Sequence, residues 1–397
     1  MNRLLIGVKY MQKNLTFGKN KRFRVMVVSD IHAKTDYKTR QDMDELGDYL
    51  ALQKRALTTL KPNLVVLLVD IIDADSDKDY KDTAAKILSP FIAREVPVAV
   101  VFGYKENIDG VSQEKLREIW HSFDICNVVD LSDISPSGDY NLVVRNYENT
   151  KDILNLWFMN ISKTPPQKYR SRCPFATDAQ LEWYESKANE LKEANGGNVL
   201  PALNFQHTAV PEEYKLLKKV NPIPLINFAH RGKSESLRTT HFLPDRKNTD
   251  FEGHMGEGPG VPDFNNGQFD AWKKVGDVFG AFFGNDHMND FVGTVDGIVL
   301  GQCKLAGFTR YGDGLRQGVR IVDVYEDAPN ELKTRMCYYR EIIGTNSISI
   351  KGFEKWIRDE SRISVYNALR VAGIATVVGF TIAATRKYTR YLVSKGK

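Results

Sequence analysis

Several features that would place a chain in a common class are missing here. The four cysteines, Cys126, Cys173, Cys303 and Cys337, form no C-x-x-C pair. Four cysteines so far apart read as reduced, mostly buried thiols in a non-oxidising compartment. Neither charge sign dominates: 55 basic and 50 acidic residues give a formal net charge of +5, too mild for a nucleic-acid partner. There is no internal repeat. The run Gly256-Glu257-Gly258-Pro259-Gly260 follows no strand and precedes no Lys-Ser/Thr pair, so it is not a phosphate loop. No Ser-His-Asp or Cys-His pattern has supporting context. Acidic residues are absent from positions 1–29, which carry seven Lys or Arg. Such a start suits a mitochondrial targeting segment, or a basic arm over 1–13 leading into the first strand.

A hydrophobic content of 42% with 26% charged residues describes a folded globular chain. Residues 22–29, 64–69 and 98–102 are apolar runs of strand length. Between them, 38–60 shows Met43, Leu46, Leu50, Leu57 and Leu60 at helical spacing, and 79–94 reads as a second helix. Strand, helix, strand, helix, strand is a doubly wound beginning. Further strands are expected at 140–147, 153–161, 200–206, 278–283, 291–295, 297–300, 318–325 and 334–340, with a helix at 177–194. From 222 to 266 the chain is polar, glycine-rich and irregular, as functional or loosely held loops are.

Four of the apolar runs end in polar clusters: Asp30-Ile31-His32, Asp70, Gly103-Tyr104-Lys105-Glu106 and Gly284-Asn285-Asp286-His287. Strand ends are where α/β folds place their chemistry. Aspartate and histidine gathered there can hold a metal ion. Asp-x-His alone is a weak signal; its order and context strengthen it. His121 reads as a surface residue on a helix. His230, His241 and His254 lie in the irregular stretch, where any of them could supply a replacement ligand.

With these motifs in order, the sequence resembles the calcineurin-like metallophosphoesterase superfamily, and within it the purple-acid-phosphatase-related branch, over about residues 15–343. Asp30-Ile31-His32 matches the Asp-x-His motif. Val69-Asp70 matches Gly-Asp with the glycine lost, and Gly103-Tyr104-Lys105-Glu106 matches Gly-Asn-His-Asp/Glu. His207-Thr208-Ala209-Val210-Pro211-Glu212-Glu213-Tyr214 matches the branch's His-Ile-Pro-Leu-Pro-Glu-Tyr with one residue inserted. Gly284-Asn285-Asp286-His287-Met288-Asn289-Asp290-Phe291 matches Gly-His-Asp-His-Val-Asn-Asp-Phe, and Gly307-Phe308-Thr309-Arg310-Tyr311-Gly312 is similar to its glycine–tyrosine run. The implied fold is α/β: a four-layer sandwich of two mixed β-sheets flanked by helices, forming one domain over 14–345.

The resemblance implies a first metal site at Asp30, His32, Asp70 and His287, all of a ligating type. It implies a second at Asp70, Tyr104, His207 and Asn285, where Tyr104 and Asn285 replace an asparagine and a histidine. Lys105 stands where the family has its proton-donating histidine. Two-ion hydrolysis needs one ion to make hydroxide and both to clamp the phosphoryl oxygens. A neutral phenol is a poor ligand, and an ammonium does not readily give up its proton near neutrality. Lys105 is instead suited to stand in for the missing cation beside Asp70. The four surviving residues either hold one divalent ion (Zn, Fe, Mn or Mg) or, metal-free, hydrogen-bond one another and pin the sheets together. His207 is a remnant of the second site.

Beyond a linker at 346–362, residues 371–385 are an uncharged run, which extended back to 363 includes only Arg370 as a charge. As a helix, 363–385 would be about 35 Å long, enough to cross a bilayer. Small residues within it and the basic tail at 388–397, with Tyr388 and Tyr391, fit a membrane helix over 363–387. The expectation is a catalytically inactive metallophosphoesterase-like protein, anchored by that helix as an accessory subunit of a larger membrane complex. The basic ends point to the mitochondrial inner membrane. An active single-metal phosphoesterase and a phospho-ligand-binding module are the alternatives.

Overall fold

The computed structural model describes residues 15–350 except 75, 103–110, 127–128, 130, 162–170, 172, 222–228, 313 and 315. The arm expected at 1–13, most of the linker, the terminal apolar helix and the basic tail lie outside these residues, as do Tyr104 and Lys105. Among the described residues no helix is long and apolar enough to cross a membrane.

Two mixed sheets organise the chain. One has five strands in the order Ala328–Tyr338, Gly318–Tyr325, Arg22–Ser29, Leu64–Leu68, Val98–Val101. Its last three strands run parallel, and Gly318–Tyr325 pairs antiparallel to both neighbours. The other has seven, in the order Leu15–Thr16, Tyr140–Arg145, Asp152–Met159, Ala202–Gln206, Val278–Phe283, Ile298–Gln302, Val292–Val295.

The alternation of strand side chains sets the layers. Val25, Val27, Leu64, Val66 and Leu68 of the smaller sheet pack with Leu142, Leu154, Leu203, Phe205 and Phe282 of the larger one. On that face Tyr140, Phe158, Phe205 and Phe282 stack in succession, with centroids 4.7, 5.5 and 5.8 Å apart. Such offset ring pairs add to simple area burial. Met26, Val28, Val65 and Leu67 point the other way, onto helices Arg40–Leu60, Asp77–Ile92 and Gln113–His121. Trp157, Ala281 and Phe283 face helices Asp178–Ala194 and Gln268–Val275. Burial on both faces explains why 64–68 reads as an unbroken apolar run.

Helix Arg40–Leu60 begins at a capping box between Thr39 and Asp42 and ends with Lys61 in the left-handed region. Leu57 and Leu60 of the expected stripe are buried and Leu46 and Leu50 half-buried, but its first position is not. Met43 is 57% exposed, while Glu45 and Asp48 are buried. Both acids have partners: Lys34 for Glu45, and Tyr339, Ser347 and Ser349 for Asp48. Paired carboxylates can therefore occupy core positions that hydrophobicity alone assigns to Met43. The segment expected to be irregular holds two short strands, His230–Arg231 and His241–Pro244, which pair with each other, and Leu217–Val220 joins the second of them. Within that segment residues 255–262 are buried.

Candidate metal centre

Strands Arg22–Ser29 and Leu64–Leu68 of one sheet, and Ala202–Gln206 and Val278–Phe283 of the other, deliver Asp30, Asp70, His207 and Asn285–His287 just past their C-terminal ends. The turns are held by backbone bonds: His32 N to Asp70 O at 2.9 Å, and Ala306 N to Ser29 O at 2.8 Å. Ten described non-glycine residues have positive φ, and five of them are here: Asp30, His32, Val69, Asp70 and Asn285. Strain gathered at one place marks a site that the surrounding fold over-determines. Val69 is the most costly of the five, since a β-branched side chain is rarely found in that region.

Asp30, His32 and His287 form a buried group whose ligand atoms lie within 4.8 Å of one another. Nε2 of His32 is 3.3 Å from Nε2 of His287. Asp30 Oδ1 is 3.7 Å from His287 Nε2, and Asp70 Oδ2 is 3.8 Å from His32 Nε2. Asp70 thus lies about as near His32 as Asp30 lies to His287, but the mutually close group is Asp30, His32 and His287. The outer nitrogens are both spoken for: His32 Nδ1 donates to Asp73 Oδ1 at 3.2 Å, and His287 Nδ1 to Tyr311 O at 3.0 Å. Both acceptors lack a proton, so each ring carries its hydrogen on Nδ1. Two Nε2 lone pairs then face each other.

That donor set fits a metal ion. Two imidazoles bound to one ion at about 2.1 Å stand roughly 3.0–3.4 Å apart, as these do. Burial, then the neighbouring His32, holds His287 down at about 3. Burial and the adjacent Asp70 push Asp30 well above the usual carboxylate range. An imidazole held neutral at His287 and a carboxylate crowded by another are what a divalent cation stabilises. Asp30 also accepts from Ser29 Oγ and, through both oxygens, from Asn285 N at 3.2 Å.

The second half of the expected pair is different. His207 is buried, its pKa lowered first by desolvation, and its Nδ1 has no hydrogen-bond partner. That orphaned nitrogen is a feature suited to a second ion. Next to Asn285, at Asp286, stands a cation that the sequence did not single out: Lys233 Nζ lies 2.9 Å from Asp286 Oδ1 and 2.7 Å from Glu257 Oε2. Burial opposes its charge, but Asp286 and Glu257 outweigh that and hold its pKa well above the usual lysine value. Glu257 Oε1 accepts from Met288 N, and Asp286 accepts from Gly260 N and Asn289 Nδ2. None of His121, His230, His241 and His254 joins the gathered group.

The model of the calcineurin-like phosphoesterase family matches residues 23–289, more than half of the chain. The chain belongs to that family. "Probable inactive purple acid phosphatase 29" of Arabidopsis thaliana is 22% identical over 342 residues, which span 79% of this chain and 79% of that protein. "Probable inactive purple acid phosphatase 14" of the same plant is 23% identical over 339 residues, covering 79% of this chain and 77% of that one. Among solved structures, a dimetal phosphatase from Danio rerio aligns with 80% of this chain and 99% of its own, at 13% identity and a TM-score of 0.42.

Proposed function

We propose that this protein has kept one ion site and lost phosphoester hydrolysis, and that it serves as an accessory subunit of a larger membrane complex. One observation carries the reading. On one side of the site, His32 and His287 converge with Asp30 and Asp70 beside them. On the other, Asn285 replaces a ligand, and the protein's own ammonium, Lys233, lies between Asp286 and Glu257. A single Zn, Fe, Mn or Mg ion held by Asp30, His32 and His287 would act as a Lewis acid, without the partner ion that two-ion phosphoryl clamping requires. The plant relatives, both called probable inactive purple acid phosphatases, support an inactive protein.

The helix expected over 363–387 is the membrane anchor in this reading, with the mitochondrial inner membrane as its place. The test is turnover of aryl phosphate mono- and diesters by the full chain with added Mn or Zn. No turnover is expected; turnover lost in His287→Ala would make the protein a single-ion hydrolase and overturn the reading. For the anchor, the full chain should stay with membranes after alkaline carbonate extraction, and a chain ending at 362 should be released.

A further inference from the structure

Three consecutive residues grip the two imidazoles from outside. Thr309 Oγ1 donates to the backbone oxygen of His32 at 2.6 Å. The Arg310 guanidinium forks onto Asp73 Oδ2, its Nε at 3.0 Å, while Asp73 Oδ1 takes the His32 Nδ1 proton. Tyr311 O takes the His287 Nδ1 proton, and the Tyr311 ring stacks on His287 with centroids 4.4 Å apart. The turn is wedged in place. A Cβ on Gly307 would lie 2.0 Å from Ile31 O, and Phe308 is buried against Tyr339. Asp73 is fixed from the other direction, since Ile72–Asp73 pairs in parallel with Ala33–Lys34, directly after His32.

Each ring has two tautomers, and which one forms is set by the partner of its outer nitrogen. With both protons drawn outward, two lone pairs meet at 3.3 Å, a repulsive arrangement that a shared cation converts into ligation. Without Asp73, His32 would move its proton to Nε2 and donate it to His287 instead. That closes the site with a hydrogen bond and removes a ligand. Outer partners of ligating histidines change metal affinity by roughly 10–100-fold.

We infer that Asp73, braced by Arg310, is a positioning residue that sets the His32 tautomer and so tunes the ion site. The inference rests on the one-ion reading above, and its test separates the two. In ion-free protein labelled with 15N-histidine, long-range proton–nitrogen correlations should place the proton on Nδ1 of both His32 and His287. Asp73→Ala should move it to Nε2 in His32 alone, and Asp73→Asn, which keeps an acceptor, should restore Nδ1.

Titration with Zn2+ and Co2+ should show affinity falling about 10–100-fold in Asp73→Ala, with an altered Co2+ visible spectrum. Arg310→Ala should weaken binding less, and adding it to Asp73→Ala should do little more. A folded Asp73→Ala whose His32 tautomer is unchanged overturns the inference. A His32 tautomer shift in Asp73→Ala, with a wild-type protein that takes up neither ion, overturns the one-ion reading and leaves the positioning role standing.

Discussion

Lys233 and Asp286 form an ion pair at 2.9 Å between a segment that reads as polar loop and the end of a central strand. The lysine side chain is 30% exposed, whereas those of Asp286 and Glu257 are almost wholly buried. Removing the ammonium leaves two carboxylates uncompensated inside the protein. Lys233→Met should therefore cost about 2–4 kcal/mol, somewhat below a fully enclosed pair. Lys233→Arg should cost much less. Urea unfolding of the three proteins measures this; equal midpoints would show that the acids do not depend on Lys233.

Gly284 sits against the strained Val69. A Cβ there would lie 2.5 Å from Val69 Cγ2 and 2.6 Å from Ser29 Oγ. Gly284→Ala should be strongly destabilising, because three buried side chains, Val69, Ser29 and Asp30, would have to give way at once. Val69→Gly loses core contact but relieves both the φ of +57° and part of the clash. In the double variant the two effects should be less than additive, by about 0.5–3 kcal/mol. A double-mutant cycle in urea tests the coupling.

Asp139 gives the stability a defined pH dependence away from the metal centre. It is fully buried and accepts from Asn160 N, Gln180 Nε2 and Ser135 Oγ. Burial, only partly offset by these bonds, pushes its pKa from 3.8 up to about 6. A carboxyl raised on folding binds more protons in the native state between those values, so its contribution is full below the lower one and is lost as pH rises through the upper. Asp139→Asn should flatten the stability curve between about pH 4 and 6 and gain about 1–3 kcal/mol at pH 7 relative to the parent. Thermal melts across that range would show the slope unchanged if the group were not responsible.

Asp48 ties the last described residues to helix Arg40–Leu60. Its carboxylate accepts from Tyr339 Oη and Ser347 Oγ at 2.7 Å, from Ser349 N at 2.8 Å, and from Ser349 Oγ. Asp48→Ala leaves these buried donors without a partner, a loss of about 1–3 kcal/mol for each group left unsatisfied. Residues 345–350 should then exchange amide hydrogens much faster while the sheets stay protected. Unchanged exchange there would mean that other contacts hold the segment.

Much of the frame was legible because it rests on periodicity. The runs Arg22–Ser29, Val278–Phe283 and Gly318–Tyr325 match their strands residue for residue. Strand Ala328–Tyr338 was seen only at its end: it is an edge strand whose Glu331, Lys333 and Arg335 point to solvent, so no apolar run announces it. Residue types at strand ends pointed to Asp30, His32, Asp70 and His287. Lys233, Glu257, Asp73 and Arg310 were not visible. Their roles come from contacts between segments far apart in the chain, such as Arg310 with Asp73 and Lys233 with Asp286, and no local pattern encodes them. The positive φ of Val69 was equally hidden, since a valine in that position reads as plain strand.

The central claim is a site for one ion. Metal content of the purified full chain, measured by plasma mass spectrometry after equilibration with Zn or Mn, tests it most directly. One equivalent per chain is expected, falling to none in His287→Ala. Two equivalents in the wild-type protein, or none at all, would contradict the account.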